Sequence, residues 1–165
     1  MSVMTLNGSP YHTIGSLPAV GSAAPDFTVT KTDLGEVHLK HYAGKKVVLN
    51  IFPSLDTPTC AAAMHEFNQL ADGHKNILFL CISADLPFAQ KRFCVAEHLD
   101  NVLPASTFRH PQFAKDYGVL IVDGPLTGLL TRAAVVIDEK GKVTYTQVAN
   151  EVTKELNYDE LKKAF

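Results

Sequence analysis

The chain has 165 residues, an apolar fraction of 46%, a charged fraction of 19% and a formal net charge of −2. That size suits one compact domain with a core of its own, and the balance of charge leaves no basic footprint for nucleic acid and no polybasic segment for anionic lipid. The longest apolar runs are strand-sized, well short of a membrane span, and Met1–Pro10 holds no Lys or Arg and no apolar signal core, so a cytoplasmic protein is expected.

Taken in chain order, Val3 to Thr13 reads as a hairpin, because Asn7-Gly8 tolerates the positive φ of a tight turn. A Gly/Pro/Ala-rich connector from Gly15 to Pro25 follows. Phe27 to Thr30 alternates like a half-buried strand that Val37 to Leu39 can pair across Asp33-Leu34-Gly35. Lys46 to Phe52 is near-continuously apolar, the pattern of a central strand covered on both faces, and Pro53 ends it. Thr57 as N-cap, Pro58 at N1 and Gly73 as a stop then bound a helix. Its stripe is Cys60, Met64, Phe67 and Ala71, with Ala63 and Leu70 beside it.

Asn76 to Ser83 reads as a second buried strand. A helix capped at or near Asp85 should run through Cys94 to about His98, with Leu86, Ala89, Phe93 and Ala96 on its apolar face and Cys94 beside that face. Val102 to Ala105 suggests a short strand, Gln112 to Tyr117 a short helix, and Ala133 to Ile137 with Val143 to Gln147 a plain antiparallel hairpin. A last amphipathic helix spans Tyr158 to Ala164. The order β-α-β-α, then hairpin and helix, predicts a thioredoxin-like α/β fold with extra N-terminal strands, as a single domain over 1–165.

The chemistry concentrates on cysteine. There are three, at positions 60, 81 and 94, with no Cys-x-x-Cys pair, which disfavours both a secreted disulfide framework and a structural zinc site. Cys60 is the N3 residue of its helix, where unpaired backbone N–H groups and the helix dipole favour a thiolate. The competing reading is a small buried hydrophobe on the stripe of Met64 and Phe67. Cys81 lies inside a strand covered on both faces and is assigned to the core. His38 and His41 are three apart but no third ligand accompanies them, so no metal is expected.

Pro53-x-x-x-Thr57-x-x-Cys60 resembles the active-site signature of the peroxiredoxins. Asn50 to Ser54, Phe67 to Leu70, Ser83 to Gln90 and Arg92-Phe93-Cys94 are similar to the bacterial thiol peroxidases, an atypical two-cysteine subgroup, and the likeness extends over nearly the whole chain. The resemblance implies a peroxidatic Cys60 that attacks hydroperoxides and becomes a sulfenic acid. It implies that Thr57 orients thiolate and peroxide, that Pro53 shapes and shields the loop, and that Arg132 supplies the cation. It also implies that Cys94 resolves the sulfenate as an intrachain Cys60–Cys94 disulfide. Because a disulfide needs Cα atoms within about 7 Å, the first turn of the Cys60 helix and part of the Cys94 helix are expected to unravel during the cycle.

The same resemblance implies thioredoxin as reductant, alkyl and lipid hydroperoxides with hydrogen peroxide as substrates, a homodimer, and no haem, flavin or metal. Two other functions fit the fold. A thiol–disulfide oxidoreductase is disfavoured by the absent Cys-x-x-Cys, and a silent binding module by the retention of Pro53, Thr57, Cys60, Cys94 and Arg132 together.

Overall fold

The computed structural model describes residues 3–165. Strands β1 (Val3–Leu6) and β2 (Ser9–His12) form the expected separate hairpin, with Asn7 and Gly8 both at positive φ, 49° and 84°. The main sheet has seven strands: β3 (Thr28–Lys31), β4 (Glu36–His38), β5 (Lys46–Ile51), β6 (Ile77–Ser83), β7 (Leu103–Ser106), β8 (Ala133–Ile137) and β9 (Val143–Val148). They lie in the order β4-β3-β7-β6-β5-β8-β9, and β5, β6 and β7 are mutually parallel.

Helices α1 (Pro58–Asp72) and α2 (Pro87–Ala96) are the two crossovers joining β5 to β6 and β6 to β7, and α3 (Gln112–Asp116) and α4 (Tyr158–Lys162) follow. Alternation along the central strands divides the core in two. Val48, Phe79 and Cys81 pack with Met64 and Phe67 of α1, Cys94 of α2 and Leu161 of α4. Val47, Leu49, Ile51, Leu80 and Ile82 pack with Phe113 of α3 and Tyr117. Both faces are covered, which is why β5 and β6 carry near-continuous apolar runs. This is the thioredoxin-like α/β arrangement that the element order predicts, with the added N-terminal hairpin.

Several boundaries and faces differ from the sequence expectation. The β3 strand departs from a half-buried pattern at Thr30, which is covered like Val29 although the alternation puts it on the opposite face. At Leu39 the chain leaves β4 and enters a 3-10 turn. The β8–β9 pairing carries a register shift at Val136/Ile137. The α4 helix ends at Lys162.

The larger correction concerns α2. Its buried residues are Pro87, Gln90 and Cys94, while Leu86, Phe88 and Val95 face outward, Phe88 at 67% exposure. Cys94 therefore sits at the centre of the inward face. Gln90 draws that face in, because its amide donates to Ser83 Oγ at 3.1 Å and to the Ala105 carbonyl at 2.8 Å. Nor does Asp85 cap the helix. The N-cap is Leu86, without a side-chain hydrogen bond, and the Asp85 carboxylate is engaged elsewhere.

Candidate active site

Three strand ends meet at Cys60. The C-terminal end of β5 delivers Pro53, which is buried, and the loop Ser54 to Thr57 that leads into α1. Because β8 runs antiparallel to β5 with Ala133 opposite Ile51, Arg132 falls just beyond the same end of β5. Val148 of β9 in turn lies opposite Ala133, so the segment from Ala149 to Val152 leaves the sheet there too. Sites at the carboxyl ends of parallel strands are the general rule for open α/β sheets.

The start of α1 is as its sequence requires. Thr57 has extended backbone (φ −89°, ψ 143°) and its Oγ1 accepts from the Cys60 N–H at 3.3 Å, while Pro58 occupies N1. The Thr57 hydroxyl donates its own hydrogen to the Ser54 carbonyl at 3.2 Å. With one lone pair on the Cys60 N–H and the hydrogen on Ser54, the second lone pair is left to accept.

Cys60 is 0% exposed, and its Sγ accepts a hydrogen bond from Arg132 Nη2 at 3.1 Å. The arginine is itself 1% exposed. Its Nε donates to the Val152 carbonyl at 3.0 Å, and its Nη1 is buried with no hydrogen-bond partner among the described residues. A guanidinium without a carboxylate partner is costly to bury unless something anionic faces it, and here the group that faces it is sulfur. The arrangement suits a negatively charged sulfur and leaves one fork of the guanidinium for a second electronegative atom.

The arginine is held from behind. Val152 N–H donates to the Thr5 carbonyl at 2.9 Å, and the Thr59 hydroxyl in the first turn of α1 donates to the Thr153 carbonyl at 2.7 Å. The neighbouring Glu151 carboxylate accepts from Gly8 N at 2.9 Å, Thr5 Oγ1 at 3.1 Å, and Thr153 N and Oγ1 at 3.0 and 2.7 Å. The Thr153 donors first, then the backbone of Gly8 and Asn7, hold its acid at about 2. The N-terminal hairpin thus braces the segment that positions Arg132. No local sequence pattern marks this, since the contact to Arg132 is made by a backbone carbonyl.

The other two cysteines are thiols, also buried. Burial pushes Cys81 up to about 12, despite a hydrogen bond from Asn50 Nδ2 at 3.6 Å, in keeping with its assignment to the core. Burial, with a smaller contribution from Asp100, pushes Cys94 up to about 11. Cys60, Thr57, Pro53 and Arg132 converge at the end of β5, whereas Cys94 lies in α2 within the same apolar cluster as Cys60 and makes no bond to it. The structure adds Asp85. Its place before α2 suggests a helix cap, but it accepts from Ser54 Oγ and Leu55 N, both at 2.9 Å, in the loop before Cys60.

Comparison with known proteins shows the family of the chain. A family model described as Redoxin matches residues 19–162. Thiol peroxidases of Mycobacterium tuberculosis and Mycobacterium bovis are 52% identical to this chain over 159 residues, covering 96% of it and 95% of theirs. Among solved structures, a peroxiredoxin-like protein from Aquifex aeolicus superimposes with a TM-score of 0.93 at 40% identity, over 100% of this chain and 98% of that one. A thiol peroxidase from Chromobacterium violaceum shares the fold with a TM-score of 0.90 at 22% identity, over 98% and 93% of the two chains.

Proposed function

Since the chain belongs to the redoxin family as one of its thiol peroxidases, we propose that it reduces hydroperoxides at Cys60 and completes the cycle through Cys94. The observation that carries this reading is the Arg132 Nη2 to Cys60 Sγ hydrogen bond at 3.1 Å. In the first step the Cys60 thiolate attacks the terminal peroxide oxygen; an S–O bond forms and the O–O bond breaks. The departing alkoxide takes a proton to become an alcohol, or water when the substrate is hydrogen peroxide. Cys60 is left as a sulfenic acid, oxidised by two electrons.

Arg132 contributes to this step through charge, with Nη2 on the sulfur and the unpartnered Nη1 available to an oxygen on which negative charge develops. The Thr57 lone pair that remains free accepts the peroxide O–H, and Pro53 walls the loop. Cys60 has no exposed surface, so a peroxide reaches it as the covering side chains move aside.

In the second step the Cys94 thiolate attacks the Cys60 sulfur. An S–S bond forms, the S–O bond breaks, and hydroxide leaves and is protonated to water. The first turn of α1 and the Cys94 end of α2 unwind to bring the sulfurs together. A dithiol protein, thioredoxin by family resemblance, then supplies two electrons and two protons to restore both thiols. Alkyl and lipid hydroperoxides as well as hydrogen peroxide are the substrates of this reading. It extends to a cytoplasmic homodimer, and among the described residues no helix is long and apolar enough to cross a membrane.

The test is a coupled assay with thioredoxin, thioredoxin reductase and NADPH on wild type, Cys60→Ser and Cys94→Ser. Cys60→Ser should be inactive. Cys94→Ser should lose thioredoxin-driven turnover yet still consume a single peroxide equivalent. Peroxide turnover that persists in Cys60→Ser would overturn the scheme.

A further inference from the structure

We propose that Asp85 is a positioning residue that latches the Cys60 loop to the Cys94 helix, and that its release lets the Cys60 sulfenate meet Cys94. The proposal rests on the cycle above and names the contact that regulates passage between its two chemical steps.

The latch is a continuous chain of hydrogen bonds. On one side, Asp85 Oδ1 accepts from Ser54 Oγ at 2.9 Å and Oδ2 from Leu55 N at 2.9 Å. The Ser54 carbonyl in turn accepts both the Thr57 N–H (3.3 Å) and the Thr57 hydroxyl (3.2 Å), and Thr57 Oγ1 caps the Cys60 N–H. On the other side, Ser83 Oγ donates to Asp85 Oδ2 at 2.7 Å and accepts from Gln90 Nε2 at 3.1 Å. Gln90 is 0% exposed and stands one helical turn before Cys94 on the same buried face of α2. A half-buried carboxylate between two chain segments therefore fixes both cysteine-bearing helices at once.

The two steps make opposite demands on this chain. Peroxide attack needs the capped first turn of α1, with Arg132 on the sulfur. Disulfide formation needs both helices opened, since Cys94 is buried, with its acid pushed up to about 11, and reacts only as a thiolate. The folded latch also carries a defect, because Gln90 Oε1 is buried without a partner among the described residues. An equilibrium between a closed major form and an open minor form follows, and loss of the latch raises the minor one.

Asp85→Asn keeps the shape but replaces one acceptor with a donor, so either Ser54 Oγ at Oδ1, or Leu55 N–H together with Ser83 Oγ at Oδ2, loses its acceptor. A lost hydrogen bond to a charged group corresponds to about a tenfold shift in such an equilibrium. When the open form is a minor species of about 1%, a tenfold rise speeds resolution about tenfold while the closed form still dominates, so peroxide attack barely changes.

The experiment is rapid-quench mass spectrometry on the reduced full chain with hydrogen peroxide, resolving thiol, sulfenic, sulfinic and disulfide states. The sequence holds no Trp, so a tryptophan signal cannot follow the steps. In Asp85→Asn, disulfide should form about tenfold faster from the sulfenate, and the sulfinic fraction at high peroxide should fall by a similar factor. The rate of Cys60 oxidation should stay within about twofold of wild type. Ser54→Ala, which removes one arm, should shift the partition in the same direction by less, and supplies the test if Asp85→Asn does not fold. A lowered melting temperature with unchanged or slower resolution in both variants would overturn the latch. Failure of the wild type to form any Cys60–Cys94 disulfide would instead overturn the cycle itself.

Discussion

Arg132 Nη2 lies 3.1 Å from Cys60 Sγ although the two residues are separated by 72 positions in the chain. The contact is a product of strand register: β8 pairs antiparallel with β5 so that Ala133 faces Ile51, and the residue before β8 arrives where the chain after β5 turns into α1. Both partners are buried, so the interaction acts without competing water and is worth more than the same pair at the surface.

Replacing Arg132 should therefore cost rate. Arg132→Met, of similar length but without donors, should lower the second-order rate constant for Cys60 oxidation by about 100- to 1,000-fold. Arg132→Lys should recover little of it, because one ammonium cannot serve Val152 O and Cys60 Sγ from a planar fork. Competition kinetics against a reference peroxidase measures both. A lysine variant with wild-type rate would show that charge alone suffices.

Acid should loosen the brace behind Arg132. Glu151 is held at about 2, below its ordinary value of 4.5, by the backbone and hydroxyl donors of Thr153 and then by the backbone of Gly8 and Asn7. A depressed carboxylate contributes stability that is present above the ordinary value and is lost as pH falls toward the folded one. Wild type should thus lose stability between about pH 4.5 and pH 2 more steeply than Glu151→Gln does. Denaturant unfolding at a series of pH values tests this, and parallel curves for the two proteins would exclude the role.

Alkali should act through the buried thiols. Cys94 is raised from 9.0 to about 11, so its stabilising effect is complete below the ordinary thiol range and is lost as pH rises from about 9 to about 11. In the reduced protein at neutral pH, iodoacetamide should modify Cys94 about 100-fold more slowly than a free thiol, with Cys81 slower still. Peptide mapping by mass spectrometry gives the rates. Prompt alkylation of Cys94 would mean that α2 opens far more readily than its hydrogen bonds imply.

His98 offers a way to tighten the same helix. It follows α2 at φ 55°, a conformation that suits glycine, and closes the end through Leu99 N to Cys94 O at 2.9 Å and His98 N to Val95 O at 3.3 Å. His98→Gly should relieve about 1 kcal/mol of strain and raise the melting temperature by about 2–4 °C. If the Cys94 turn unwinds to form the disulfide, resolution should slow about fivefold, the rate equivalent of that energy. A stabilised variant that resolves at the wild-type rate would place the opening elsewhere.

Much of the site was legible because it is local. Thr57 and Pro58 start α1 by capping rules that act within one turn, and they put Cys60 at N3, while the helix stops before Gly73 as expected though that glycine is right-handed (φ −80°). The α2 helix shows where local reading stops. Its apolar residues suggest a face of Leu86, Ala89, Phe93 and Ala96, yet Pro87, Gln90 and Cys94 turn inward. Composition does not say which stripe meets the sheet; that is decided by Gln90 finding Ser83 and Ala105. Asp85 reads as a cap because aspartate favours that position, but across the strand ends it finds Ser54 and Leu55 instead.

Local pattern is enough for the elements, the central strands, the helix start that presents Cys60, and the core placement of Cys81. These follow from interactions within a few residues and from apolar periodicity. The assembled sheet is what buries Arg132 against that sulfur, sets Glu151 and the N-terminal hairpin behind it, and lets Asp85 join the two cysteine-bearing segments. Those contacts depend on strand order and register, which bring together groups that no local pattern relates.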